Sequence, residues 1–291
     1  MESSSKKILN QGPFSGIAVP LAIVLVGAGL IFGITKMLST GKDYKDLVTE
    51  LNSKTFGNRW VAAYELSKYL AASKIPEADK PWVAQELSEV YIQGQDARTR
   101  NFVIMALGLL GHSESYPLIN QALEDSDQQV QFSAVVTLGN APRGTIINWK
   151  KLEELLQTSQ DSGLKQVIML SMANHQYPNA PNLLEPYLEQ GEVYLKWSAL
   201  MALLAFPYRE KVVFFMDQFI QSSRLNSKGH SDPKSLVTAA QYEAIKLSML
   251  ITIGKNPVQE YVNLIPKHFL EDENVKVSTK ALEVLNLLKK Q

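Results

Sequence analysis

Four histidines, His112, His175, His230 and His268, are the only side chains of this sequence whose ordinary pKa lies near neutrality, and there is no cysteine. A thiolate zinc site and a cysteine nucleophile are therefore excluded. The histidines fall at helix ends or in links, and no two potential metal ligands recur at a fixed spacing, as a metal centre would require. The chain has no GxxxxGK[ST] phosphate loop, no dinucleotide fingerprint and no GxSxG elbow, so phosphoryl and acyl transfer lack their usual parts. The expectation is a protein that is not an enzyme and that carries no metal or cofactor.

What does recur is a charge pattern. Asp96 precedes Arg100, Asp161 precedes Lys165 and Glu192 precedes Lys196, each by four residues, and Asp127 stands in the same position before Gln131. Arg59 and Lys246 occupy the basic position with Thr55 and Tyr242 in the acidic one. An acid at a helix start can accept free backbone N–H groups, and a base one turn later shares its face. Stacked units would bring like positions together, so this reads as a structural ladder between repeats. The full chain has 29 basic and 29 acidic residues. A nucleic-acid partner, which needs a surplus of Lys and Arg, is not expected.

The elements that would position such a ladder are helices. Apolar runs such as NFVIMALGLLG and WSALMALLAF are too long for single strands and rich in Ala, Leu and Met. One apolar anchor per unit can be chosen as Leu66, Leu107, Leu138, Met172, Leu203 and Ile253, with Leu282 as a seventh, and the steps between them are 41, 31, 34, 31, 50 and 29 residues by subtraction. That is a solenoid period. The residue before each anchor is small in six of seven units, Glu65 being the exception, as close helix packing requires. The seventh unit places Glu271 in the acidic position. The predicted helix pairs are 43–52 with 57–72, 80–92 with 98–110, 115–123 with 128–139, 148–157 with 163–173, 182–188 with 193–205, 209–223 with 234–254, and 258–270 with 275–289. An insert at 224–233, RLNSKGHSDP, separates the sixth pair.

The stretches DARTRNFVIMALGLLG, DSDQQVQFSAVVTLG, DSGLKQVIMLSMA and EVYLKWSALMALL, with GNRWVAAYELSKYL and ENVKVSTKALEVL at the two ends, resemble the HEAT-repeat family, including the HEAT-like units of phycobilin lyases. The resemblance covers residues 43–291. It implies an all-α fold, an armadillo-type α-solenoid of about seven helix pairs. The HEAT-repeat di-iron hydroxylases carry repeated His-Glu pairs as ligands, and no histidine here is followed by Glu. HEAT-like DNA glycosylases resemble strongly basic proteins, whereas three of the 29 basic residues and one of the 29 acidic ones precede residue 41, leaving 26 against 28.

Ahead of the repeats, residues 14–35 read FSGIAVPLAIVLVGAGLIFGIT without a charge, flanked by Lys6, Lys7 and Lys36. As a helix this run would be about 33 Å long, enough for a hydrocarbon layer of ~30 Å. Twelve of its residues are Val, Ile, Leu or Phe, which outweighs four glycines and Pro20. It is longer than a secretory h-region and runs on into Lys36. The predicted organisation is a tail at 1–13, a single membrane span starting at Phe14 and ending at Leu38, a linker at 39–42 and the solenoid at 43–291. Gly29 and Gly33 form a GxxxG pair through which two spans could approach as a homodimer. Lys36, Lys42, Lys45 and Lys54 after the span outnumber Lys6 and Lys7 before it, a positive-inside count that favours a cytoplasmic domain. An N-in signal anchor starting at those two lysines and the absence of cysteine tip the balance slightly toward an extracytoplasmic one.

With chemistry excluded, function falls to surface. The second helix of each unit lines one long face of a solenoid, where an extended partner can lie. Aromatic candidates there are Trp60, Tyr64, Phe102, Phe132, Tyr194, Trp197 and Tyr242, and the insert contributes Arg224, Lys228 and His230. The expectation is a membrane-anchored scaffold or adaptor for a protein partner. The alternatives are a structural subunit of a membrane complex and a lyase-like accessory subunit.

Overall fold

A computed structural model describes residues 42–93, 96–190, 192–207, 210–227, 239–255, 258, 265 and 269–289. The predicted span at 14–38, with Gly29 and Gly33, lies outside them. No helix among the described residues is long and apolar enough to cross a membrane.

The described residues hold helices, three short 3-10 turns and no strand. The helices are α1 (Tyr44–Glu50), α2 (Phe56–Ala71), α3 (Lys80–Ile92), α4 (Ala97–Leu110), α5 (Tyr116–Gln121), α6 (Gln128–Gly139), α7 (Trp149–Thr158), α8 (Ser162–Asn174), α9 (Ala180–Gln190), α10 (Val193–Leu203), α11 (Glu210–Ser227), α12 (Ala239–Lys255) and α13 (Val275–Leu288). The chain divides into two compact units, one ending at Asp79 and one beginning at Lys80.

In the first unit α1 packs on α2, burying Leu47, Val48 and Leu51 against Ala62, Leu66 and Leu70. Tyr44 closes the pair by donating its hydroxyl to Asp79. In the second unit each even-numbered helix from α4 to α12 packs on the helix before it and beside the next even-numbered one, and α12 packs on α13. The result is a layer of second helices in register.

Small residues set that register. A Cβ built on Gly108 would fall 2.5 Å from Cγ2 of Thr137, and one on Gly139 would fall 2.3 Å from Oγ of Ser171. Both glycines follow an anchor by one residue, and both partners precede the next anchor by one. The close approach that the small residues implied is therefore located: glycine on one helix faces Thr or Ser on its neighbour. Gly111, at φ 65°, ends α4 in the left-handed region that glycine adopts freely.

The anchors Leu66, Leu107, Leu138, Met172, Leu203 and Ile253 are all fully buried. The seventh expectation fails, because Leu282 is 51% exposed whereas Leu285 is 5% exposed. The helix caps explain the shift. Thr55, Asp96, Asp127, Asp161 and Glu192 occupy N-cap positions eleven residues before their anchors, and the seventh N-cap is Asn274, eleven before Leu285. Glu271 is thus not the acidic position, and the last step is 32 residues (285 less 253). Leu282 and Leu285 are three apart, so helical period alone suits both. Leu282→Ser should leave stability within about 0.5 kcal/mol of the parent. Asn274→Ala should cost about 1 kcal/mol in urea unfolding through the lost cap bond to Lys276 N. A core-sized loss at position 282 would restore the 29-residue step.

Other boundaries differ as well, and the helix expected over 182–188 spans Ala180–Gln190. The helix expected to end at 223 continues to Ser227, so Arg224 is helical, and nothing in Arg-Leu-Asn-Ser obliges a break before Gly229. Lys228 and His230 lie outside the described residues. In the third unit the first helix gives way after Gln121 to a 3-10 turn, Ala122–Glu124. Most of 258–270 is likewise outside the described residues, though Ile265 and Phe269 are buried.

Candidate functional site: the layer of second helices

The acids of the ladder do cap helices. Asp96 accepts from Thr99 N at 3.1 Å, Asp127 from Gln129 N and Val130 N at 2.9 and 3.2 Å, and Asp161 from Leu164 N at 3.1 Å. Glu192 occupies its N-cap without a side-chain cap bond and instead accepts from the Ser162 hydroxyl of the preceding unit at 2.9 Å.

The bases reach forward into the next unit. Arg100 makes a bidentate pair with Asp125, Nε to Oδ2 and Nη2 to Oδ1, both at 2.8 Å. Lys246 donates to Asp272 at 2.7 Å. Lys165 stands 5.9 Å from the ring centre of Tyr187, and Lys196 stands 5.4 Å from that of Phe215. The sequence pointed to the bases and missed the acids that hold them. Asp125 and Asp272 each lie two residues before an N-cap and accept its backbone N–H, at 2.9 Å from Asp127 and 3.0 Å from Asn274. The signal was present as D-x-D and D-x-N in the turns.

Asp125 is the centre of this clamp. Its side chain is 5% exposed, and it also accepts the Tyr91 hydroxyl at 2.7 Å. Burial pushes its carboxyl up, but the bonds from Arg100, Tyr91 and Asp127 N outweigh that and hold it down at about 2. Burial, then the bond to Asp125, pushes the Tyr91 phenol up. The bond to Asp125 raises the Arg100 guanidinium further. This site is mechanical: charges held in one state near neutral pH fix one unit on the next.

Of the four histidines, His112 and His175 are among the described residues. His175 shares a hydrogen bond with Leu138 O of the preceding unit at 2.8 Å, with Trp149 edge-on at 5.7 Å. It is a packed tie between units. His112 is half-buried. His230 and His268 are not described. Among the described residues no group of three His, Asp or Glu could hold a metal ion.

The aromatic candidates divide by exposure. Trp60, Tyr64 and Tyr194 are 53, 50 and 41% exposed. Phe102 and Phe132 are half-buried, Tyr242 is buried, and Trp197 is half-buried with its ring edge-on to Phe219 at 4.5 Å. A surface feature that the aromatic search missed runs through the second unit. The residue two before each anchor is Met105, Val136, Leu170, Met201 or Ile251. Met105, Leu170 and Ile251 are 51, 44 and 43% exposed, and Val136 and Met201 are half-buried. Because their helices lie side by side, these five form an apolar ridge across the layer. It stops at the seventh unit, where Glu283 takes the position and pairs with Lys280 at 2.8 Å. The N-cap acids Asp96, Asp127, Asp161 and Glu192 form a parallel row on the same helices.

Residues 84–173 match the family of HEAT repeats. A chain of the complex of CpcE and CpcF of phycocyanin lyase from Nostoc sp. PCC7120 is similar in structure, with a TM-score of 0.53 and 17% identity over 86% of this chain and 94% of that one. An engineered protein matches with a TM-score of 0.42 and 15% identity over 86% of this chain and 97% of that one. No curated protein matches the sequence. At such identities the likeness concerns the fold alone, and the one to the phycocyanin lyase chain agrees with the all-helical, HEAT-like architecture read from the repeats.

Proposed function

We propose that this chain is a single-pass, membrane-anchored helical-repeat adaptor, held in the bilayer by residues 14–38, that binds another protein along the apolar ridge of its second-helix layer. The ridge is the observation that carries the reading. Five successive units place an apolar side chain at one register, where burial does not require it, and the terminal unit replaces it with Glu283. A contiguous apolar strip of that kind marks an interaction surface.

Spacing describes the partner. Neighbouring helices in such a layer are about 8–10 Å apart, and a helix laid across them offers one equivalent residue every seven, about 10.5 Å. The partner segment is an amphipathic helix with one apolar stripe. Anchoring adds affinity by confining both molecules near the bilayer. In this reading the repeats lie outside the cytoplasm, the side that the absence of cysteine favours.

Met105→Glu combined with Leu170→Glu should reduce partner recovery from gently solubilised membranes by about tenfold or more, as loss of central apolar contacts does. The thermal midpoint should stay unchanged, since both side chains are exposed. Undiminished recovery of the same partner would remove the ridge from the account.

A further inference from the structure

We infer that α2 rests on the membrane, with Phe56, Trp60 and Tyr64 seated among the lipid headgroups beside the emerging span. This inference rests on the anchor reading above, and it concerns a different surface from the partner ridge.

Three observations meet here. Phe56, Trp60 and Tyr64 are spaced by four residues and are 43, 53 and 50% exposed, so one side of α2 carries a continuous aromatic stripe while Ala62, Leu66 and Leu70 face α1. Large aromatic rings with a polar end, Trp and Tyr above all, are the side chains that favour the boundary between hydrocarbon and water. Two cations lie against the stripe, each with a partner in the protein: Arg59, 5.7 Å from the Phe56 ring centre, donates to Ser53 O at 2.8 Å, and Lys68, 4.3 Å from that of Tyr64, pairs with Glu65 at 2.7 Å. Side chains of this kind keep their charged heads in water while their stems lie along apolar surface.

The third observation is reach. The described chain begins at Lys42, and α1 begins at Tyr44. A span ending at Leu38 leaves six residue steps to Tyr44, at most about 20 Å when fully extended. Residue 38 would stand at the edge of the hydrocarbon, and the headgroup region beyond it is roughly 5–7 Å deep. The first unit is therefore held at the surface whether or not α2 touches it. An exposed aromatic stripe held there has the bilayer as its nearest apolar phase. The occupant of this face is the lipid surface rather than a protein.

The absence of cysteine makes the test direct, because a single introduced cysteine is the only thiol in the chain. Full-length protein carrying Trp60→Cys or Tyr64→Cys is labelled with a nitroxide and reconstituted into vesicles of phosphatidylcholine and phosphatidylglycerol. Collision rates with oxygen, which concentrates in lipid, and with a water-soluble nickel chelate are then compared. Leu25→Cys reports the span, and Ile146→Cys, at a residue 87% exposed in the second unit, reports water. All the introduced thiols replace residues outside the described core, and retained helical circular dichroism checks the fold. The expected result is oxygen-dominated collisions at positions 25, 60 and 64 and nickel-dominated collisions at 146. Oxygen at 25 with nickel at 60 and 64 overturns this inference and leaves the anchor standing. Nickel at 25 overturns the anchor, and the inference with it.

Discussion

Asp125→Ala is expected to lower the free energy of unfolding by about 3–5 kcal/mol, the largest single effect in the second unit, because it deprives a largely buried guanidinium of its bidentate partner. Arg100 is 17% exposed and Asp125 5%. An exposed ion pair would contribute well under about 1 kcal/mol. The difference is geometry: two parallel 2.8 Å bonds, a tyrosine hydroxyl and a backbone N–H all converge on one carboxylate. Urea unfolding of Asp125→Ala against the parent measures it, and a loss below about 1 kcal/mol would reduce the clamp to a surface pair.

The same clamp has a pH signature. The carboxyl titrates at about 2 when folded and near 3.8 when free. The unfolded chain takes up the proton first, so the clamp's contribution is complete above about pH 4 and declines as pH falls toward 2. The total is about 2 kcal/mol, from 1.36 kcal/mol per pKa unit. Asp125→Asn should flatten the parent's stability loss between pH 4 and 2 by about that amount. An equally steep loss in the variant would assign the acid sensitivity to other carboxylates.

Gly139→Ala is expected to destabilise by about 1–3 kcal/mol, although alanine in place of glycine ordinarily favours a helix by about 1 kcal/mol. Sterics win because the new methyl would meet Ser171 Oγ at 2.3 Å and Cβ at 3.1 Å. That hydroxyl cannot swing away without giving up its bonds to Val167 O at 2.7 Å and Val135 O at 3.3 Å. Ser171→Gly in the same chain should recover part of the loss, and the double-mutant cycle should give a favourable coupling of about 0.5–3 kcal/mol. A stabilising Gly139→Ala would mean that α6 and α8 stand further apart than the register requires.

The fold was legible because two signals with one spacing agree: a capping residue and, eleven positions later, a buried apolar anchor. Where one signal was weak, the reading slipped. Leu282 and Leu285 share a helical face, and only the cap at Asn274 tells them apart. The ladder's bases were visible because they recur on helices. Their partners Asp125 and Asp272 lie in turns, and pairing across units is a matter of packing rather than local spacing. The ridge was hidden for a related reason. Met, Val, Leu and Ile at helical spacing look like core, and exposure depends on neighbouring helices that no single segment encodes. Aromatic side chains drew attention instead, and Trp197 proves to pack on Phe219.

The central claim is that one partner lies across the layer of second helices while the chain is tethered to the membrane. Photo-crosslinking in native membranes tests it most directly. A photoreactive side chain is placed at position 105, 170 or 251 on the ridge, or at 214, where Phe214 is 56% exposed on the first helix of its pair. The account predicts adducts of one common mass from all three ridge positions, none from 214, and their loss when residues 14–38 are removed. Unrelated adducts at the three ridge positions, or the same adduct from 214, would contradict it.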